Sequence, residues 1–174
     1  MDLATQYSQK LQPFIDYLAD LNGRPNIDDL GKQMRAMEIG MEDVADFAHF
    51  SDSGYRRNVV FQNDVVQLLC LCWKSGQRSP IHDHADSICG VKVMEGIATE
   101  TVFEHTPSGY IKAVASVDYG EGVIISEDSD THQVSNLQAP GEDLVTLHVY
   151  SPPLTRMKLY TIYSNFFAVK FYFV

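Results

Sequence analysis

Hydrophobic positions follow two different periods along this chain, and the change falls near residue 55. Before it, Tyr7, Leu11, Phe14, Ile15 and Leu18 recur at the three- and four-residue steps of one helix face. Asn22-Gly23-Arg24-Pro25 ends that segment. Pro13 inside it predicts either a kink or a second helix starting nearby. Asp28–Met37 and Met41–Phe50 read as shorter helices. From Arg57 onward the pattern is that of strands: Val59–Phe61, Val65–Trp73, Ser87–Met94, Ile97–Phe103, Tyr110–Val117, Gly122–Ser126 and Leu144–Tyr150. Gly, Asn, Asp, Pro and Ser separate these runs and supply turns. Many short strands at regular spacing predict a mainly β chain, folded as a sandwich or a jelly-roll barrel. The expected organisation is one domain over 1–174, with a helical lead over 1–50 packed on a barrel and C-terminal strands over 55–174.

Composition narrows the function classes. With 174 residues, 45% of them hydrophobic, the chain is long enough to bury a substantial core. A formal net charge of −10 argues against nucleic acid or an anionic membrane surface, because both call for a basic face. It leaves room for a small anionic substrate held by one or two local arginines. No apolar run reaches the length of a membrane span, and the first residues lack the basic and apolar regions of a signal peptide. The three cysteines, Cys70, Cys72 and Cys89, are an odd count that fits free thiols in a reducing compartment. The expectation is a cytoplasmic monomer. Cys70 and Cys72 read as small buried hydrophobes.

The chemistry concentrates at Pro80-Ile81-His82-Asp83-His84. On a strand, alternate side chains share a face, so His82 and His84 project together and Asp83 points away. Two imidazoles on one face can share a metal ion, although such pairs also arise by chance on exposed strands. His132 follows another strand-like run and can supply a third nitrogen. Three histidines meeting across a barrel leave coordination positions open, as a catalytic metal site requires. Gly76 and Gly96 flank the pair and suit tight turns. His49 and His105 match no pattern and read as surface or structural.

Four separate stretches then resemble one family. Gly76-x5-His82-x-His84-x4-Cys89-x6-Gly96 is similar to the first cupin motif, with cysteine where most cupins place glutamate. His132-x3-Asn136 is similar to the end of the second. Leu147-His148-Val149-Tyr150-Ser151-Pro152-Pro153 resembles the signature that follows it in thiol dioxygenases, and Tyr55-Arg56-Arg57-Asn58 resembles their substrate-anchor segment. In order and spacing, Tyr55 to Pro153 resembles cysteine dioxygenase.

That resemblance implies a cupin jelly-roll β-barrel and a set of roles. His82, His84 and His132 would bind one ferrous iron, Fe2+. Arg57 would hold the substrate carboxylate, with Tyr55 near it. Tyr150 would face the bound substrate and His148 would hydrogen-bond it. Cys89 would stand where animal enzymes form a thioether to the tyrosine, a protein-derived cofactor here made of Cys89 and Tyr150. The substrates would be cysteine and O2, and the product the sulfinic acid. A Ser151–Pro152 bond in the cis form is also implied. Thr146 replaces the family's serine but keeps a hydroxyl, and Glu127 and Ser129 stand where the second cupin motif has Pro and Gly. Arg57 favours cysteine over a thiol such as 3-mercaptopropionate, whose dioxygenases usually carry glutamine there. A non-catalytic metal-binding cupin is the reading from outside enzymology.

Overall fold

A computed structural model describes residues 7–126, 131–162 and 168–171. Helix α1 (Gln12–Ala19) carries Pro13 in its first turn, where the missing N–H has no intrahelical partner to lose. Pro13 therefore opens this helix and kinks none. Helix α2 (Ile27–Ala36) begins at Asn26, whose side chain accepts from the backbone N–H groups of Asp28 and Asp29. The expected helix over Met41–Phe50 is instead two short 3-10 turns, Met41–Asp43 and Ala45–Phe47. Between them Val44 leaves the helical region at φ −121°, and the Asp43 carboxylate takes the Gly40 N–H.

The remainder is two facing sheets. Strands β1 (Arg56–Gln62), β2 (Gln67–Trp73), β9 (Leu144–Ser151), β4 (Ile88–Glu95) and β7 (Gly122–Ser126) form the first, in that spatial order. The second runs β11 (Ala168–Phe171), β10 (Arg156–Tyr160), β3 (Ile81–His82), β8 (Thr131–Ser135), β5 (Ala98–His105) and β6 (Ile111–Tyr119). The pairings are antiparallel throughout. From β2 to β5 and again from β6 to β10 the chain crosses between the two sheets at every step, while β1–β2, β5–β6 and β10–β11 are hairpins within one sheet, a jelly-roll arrangement of the kind the strand spacing predicts.

Strands β2 and β9 lie at the centre of the first sheet and are buried on both faces. Leu68, Cys70, Cys72, Val145, Leu147 and Val149 pack outward against α1 and α2. Leu69, Leu71, Trp73, Leu144 and Tyr150 pack inward, between the sheets. Covering both faces explains why Leu68–Trp73 reads as a continuous apolar run with no alternation. The helical lead thus serves the barrel as a lid on its outer face and leaves the inner face to the polar residues of β9. Gly96 turns β4 into β5 at φ 81°, and a Cβ there would run into the backbone of Asp143. Among the described residues, no helix is long and apolar enough to cross a membrane.

Candidate metal centre

The ladder between β3 and β8 sets His82 directly opposite His132. Strand β3 stops at His82, so His84 lies beyond it, on a turn in which Ala85 and Asp86 take positive φ of 47° and 76°. The pair therefore does not share one strand, as its spacing predicts, yet both rings enter the same space. Asp83 faces away, as expected: its carboxylate accepts from the Ala85 N–H and, at 2.7 Å, from the Tyr160 hydroxyl. These bonds fix the turn that aims His84 inward. The His82 ring centroid lies 5.4 Å from that of His84 and 4.8 Å from that of His132. All three rings are buried, and their candidate ligand atoms fall within 4.8 Å of one another.

Each imidazole has a different neighbour on its outer side. Nδ1 of His82 lies 2.9 Å from the Pro80 carbonyl, which fixes it as the protonated nitrogen and leaves Nε2 to the site. Nδ1 of His132 lies 2.5 Å from the Glu100 carboxylate, with the same consequence. Nδ1 of His84 is buried with no partner. Burial, reinforced by the neighbouring imidazoles, pushes the pKa of His82 down to about 3 and that of His84 down to about 2. Both stay neutral near pH 7, the form that ligates a metal. Nε2 of His84 and Nε2 of His132 stand 3.1 Å apart. Two nitrogens each about 2.1 Å from one ion, at right angles, would be roughly 3 Å apart. The donor set and its spacing fit one first-row metal ion, and neutral imidazoles suit iron.

The first sheet supplies the facing wall. Arg57, on β1, places Nε and Nη2 in the interior with no hydrogen-bond partner, and its Cζ lies 5.6 Å from the centre of the Tyr150 ring. Tyr55 stacks on Trp73 with ring centroids 4.2 Å apart. Arg57 and Tyr55 line both the small cavity that reaches His82 and His132 and an outer recess of about 600 Å³. They form the wall between the site and solvent.

A buried chain of hydrogen bonds runs along the inner face of β9. The Trp73 indole N–H donates to Thr146 Oγ1 at 3.1 Å, Thr146 Oγ1 lies 2.9 Å from His148 Nε2, and His148 Nδ1 lies 3.0 Å from the Tyr150 hydroxyl. Residues 146, 148 and 150 share this face because they are two apart on a strand. Burial holds His148 well below the usual histidine range and Tyr150 well above the usual phenol range. Both are therefore neutral near pH 7. Cys89 pairs directly with Tyr150 across β4 and β9, which sets the two side chains next to each other on the inner face. Burial pushes the Cys89 thiol up to about 12, so it is protonated.

All eight site residues read from the sequence thus converge: His82, His84 and His132 on one wall, Arg57, Tyr55, His148, Tyr150 and Cys89 on the other. The acidic turn Glu127–Asp130 lies outside the described residues. The Ser151–Pro152 bond is cis. His49 is exposed, and His105 is an exposed residue edge-on to Tyr160. Sequence reasoning missed Trp73 and Glu100. Trp73 looked like one more apolar residue of β2. Glu100 sits among Thr99, Thr101 and Val102, in a run whose more apolar alternate positions, Ile97 and Phe103, suggest the opposite inward face.

Comparison with known proteins bears on this geometry. The family model described as cysteine dioxygenase type I matches residues 7–162. A cysteine dioxygenase type 1 of Danio rerio is 34% identical over 134 residues, which cover 74% of this chain and 66% of that protein. That of Homo sapiens is 34% identical over 136 residues, with the same shares. The match thus spans just under two thirds of these relatives' length. Among solved structures, a protein of Thermus thermophilus superposes with a TM-score of 0.53 at 21% identity, over 67% of this chain and 98% of that one, a likeness of fold.

Proposed function

The chain belongs to the cysteine dioxygenase type I family, and from that premise we propose that it oxidises L-cysteine with O2 to cysteine sulfinic acid at one Fe2+ held by His82, His84 and His132. The observation that carries this reading is the Arg57 guanidinium, whose Nε and Nη2 are buried without a hydrogen-bond partner. Its unpartnered Nε and Nη2 face the same cavity as two of the three histidines. Buried N–H donors without an acceptor are costly, and a carboxylate entering the cavity relieves that cost through a planar two-point contact. A small thiol that carries a carboxylate can satisfy Arg57 at one end and the metal at the other.

Iron bound at the triad would supply the redox chemistry that joins both atoms of O2 to the sulfur. The protein's part is binding, orientation and charge. Arg57 fixes the carboxylate and so the direction of the thiol. Tyr55, stacked on Trp73, closes the outer side and limits water. Tyr150 keeps its proton and can donate a hydrogen bond to the substrate. His148, held by Thr146 and behind it Trp73, keeps that hydroxyl at one angle. Cys89 lies where a thioether to Tyr150 can form. Free thiols at Cys70, Cys72 and Cys89 support a reducing, cytoplasmic setting, and we read the protein as a monomer.

The test is anaerobic loading with ferrous iron, then addition of cysteine and oxygen while cysteine sulfinate is followed. Sulfinate in step with oxygen consumption is the expected result. Turnover of 3-mercaptopropionate in its place would change the substrate, and turnover of neither would leave a metal-binding cupin without this activity.

A further inference from the structure

The three histidines are unequal, and the difference lies behind them. His82 has a neutral backbone carbonyl at Nδ1, His84 has no partner there, and His132 has a carboxylate. We propose that Glu100 is a positioning residue for the metal centre, and that Tyr119 acts through it. The proposal rests on the triad being a metal site and names what sets that site's charge and orientation.

Register places these groups. Strand β5 lies between β6 and β8. Glu100 faces Val134 directly and His132 stands one diagonal away, opposite Val102. On the other side Tyr119 faces Ala98, again one diagonal from Glu100. Diagonal neighbours on one sheet face lie within reach of long side chains. Burial and, beside it, the Glu100 carboxylate raise the pKa of Tyr119, and that carboxylate meets Nδ1 of His132. A polar line thus runs Tyr119, Glu100, His132 across three strands and ends at the nitrogen facing the metal position. The Glu100 side chain is 19% exposed and that of His132 only 6%, so water screens the contact little.

Charge gives the arrangement its consequence. Three neutral imidazoles leave the whole charge of a divalent ion unopposed. Arg57 adds a positive charge on the facing wall. Glu100 opposes both from one step away. Accepting the Nδ1 proton of His132 fixes the tautomer and pushes electron density toward Nε2, which makes that ring the strongest donor of the three. The carboxylate absent from the ligand set is present behind it. Its field also reaches Cys89, where it opposes ionisation of the thiol.

Apo protein and Co2+ test this without turnover. Affinity is read by competition with a chelator, and the visible spectrum of the bound ion is recorded. Glu100→Gln keeps the shape and removes the charge. It should weaken Co2+ by about 10- to 100-fold and shift the spectrum, with little change in the apo melting temperature. Glu100→Asp keeps the charge on a shorter arm and should bind more tightly than Glu100→Gln. A purely steric role predicts the reverse order, and that order overturns the proposal, as does Glu100→Gln affinity within twofold of the parent. Should Glu100→Gln fail to fold, Glu100→Asp is compared with Glu100→Ala, and equal affinities overturn it. Tyr119→Phe should weaken Co2+ by a smaller factor in the parent and have no effect beside Glu100→Gln. An undiminished effect there removes Tyr119 from the line. His84→Ala separates the premises: if it binds Co2+ like the parent, the triad reading has failed, whatever Glu100 does.

Discussion

Arg57 and Cys89 occupy the same cavity wall and make opposite demands on it. The guanidinium calls for an anion, whereas the thiol, protonated and fully buried, calls for nothing until it is oxidised. Arg57→Gln should therefore lower kcat/KM for cysteine by at least tenfold and leave Co2+ affinity unchanged, because it removes the carboxylate contact and keeps every ligand. Unchanged kcat/KM would show that the carboxylate is held elsewhere. For Cys89 the expected chemistry is a bond from Sγ to the Tyr150 ring carbon next to the phenol oxygen. One S–H and one C–H hydrogen are lost, with two electrons passing to O2. Peptide mapping after turnover with iron should find a crosslinked pair lighter by two hydrogens. Cys89→Gly should keep measurable turnover, lower by about tenfold, or roughly 1.4 kcal/mol of barrier. Quantitative alkylation of Cys89 after turnover would show that no such bond forms. The residues legible in advance were those carrying their own spacing: His82 with His84, and His148 with Tyr150. Glu100 was not, because it meets His132 only through the pairing of β5 with β8, which no local pattern records.

At the scale of elements, helix α2 shows how far the lead supports the site without entering it. Leu30 and Met34 are fully buried, and Gly90 of β4 lies against Met34 closely enough that a Cβ would collide with its sulfur. Met34→Ala should leave a cavity on the outer face of the first sheet and cost about 2–5 kcal/mol in denaturant unfolding. Co2+ affinity should stay within twofold, since the triad belongs to the second sheet and the turn after β3. A large loss of metal affinity with intact folding would mean that α2 shapes the site directly. Strand periodicity located β1, β2, β4 to β7 and β9 to within a few residues. It failed at β3, where two residues suffice because His82 needs only the His132 rung and Asp83 then ties the turn. It failed again at Met41–Phe50, where Asp43 caps the start of one short turn through the Gly40 N–H and Val44 then leaves the helical region, splitting the segment in two.

For the whole molecule, burying three neutral histidines couples folding to pH. The folded pKa of His82 is lowered to about 3 and that of His84 to about 2, and His148 is held well below its ordinary value, all chiefly by burial. The unfolded chain protonates each near 6.5. Below that pH the unfolded state binds protons that the folded state refuses, so stability falls as pH falls. The contribution is complete above about pH 6.5. It drains away down to about pH 3, where His82 takes its own proton. Between pH 7 and 5 His82 and His84 should each cost metal-free protein roughly 2 kcal/mol, and the two together roughly 4 as a ceiling, with His148 acting in the same direction. Carboxylates titrate nearer 4, so the interval from 6.5 to 5 reports mainly on histidine. The check is urea unfolding of the apo chain at pH 7, 6 and 5, beside His84→Gln, whose fall should be smaller by roughly 2 kcal/mol. A flat profile would mean that these rings gain protons in the folded state as readily as in the unfolded one. Bound Co2+ should steepen the loss, because protons then compete with the ion for the same nitrogens, and metal that stabilises only the folded state is released as they win.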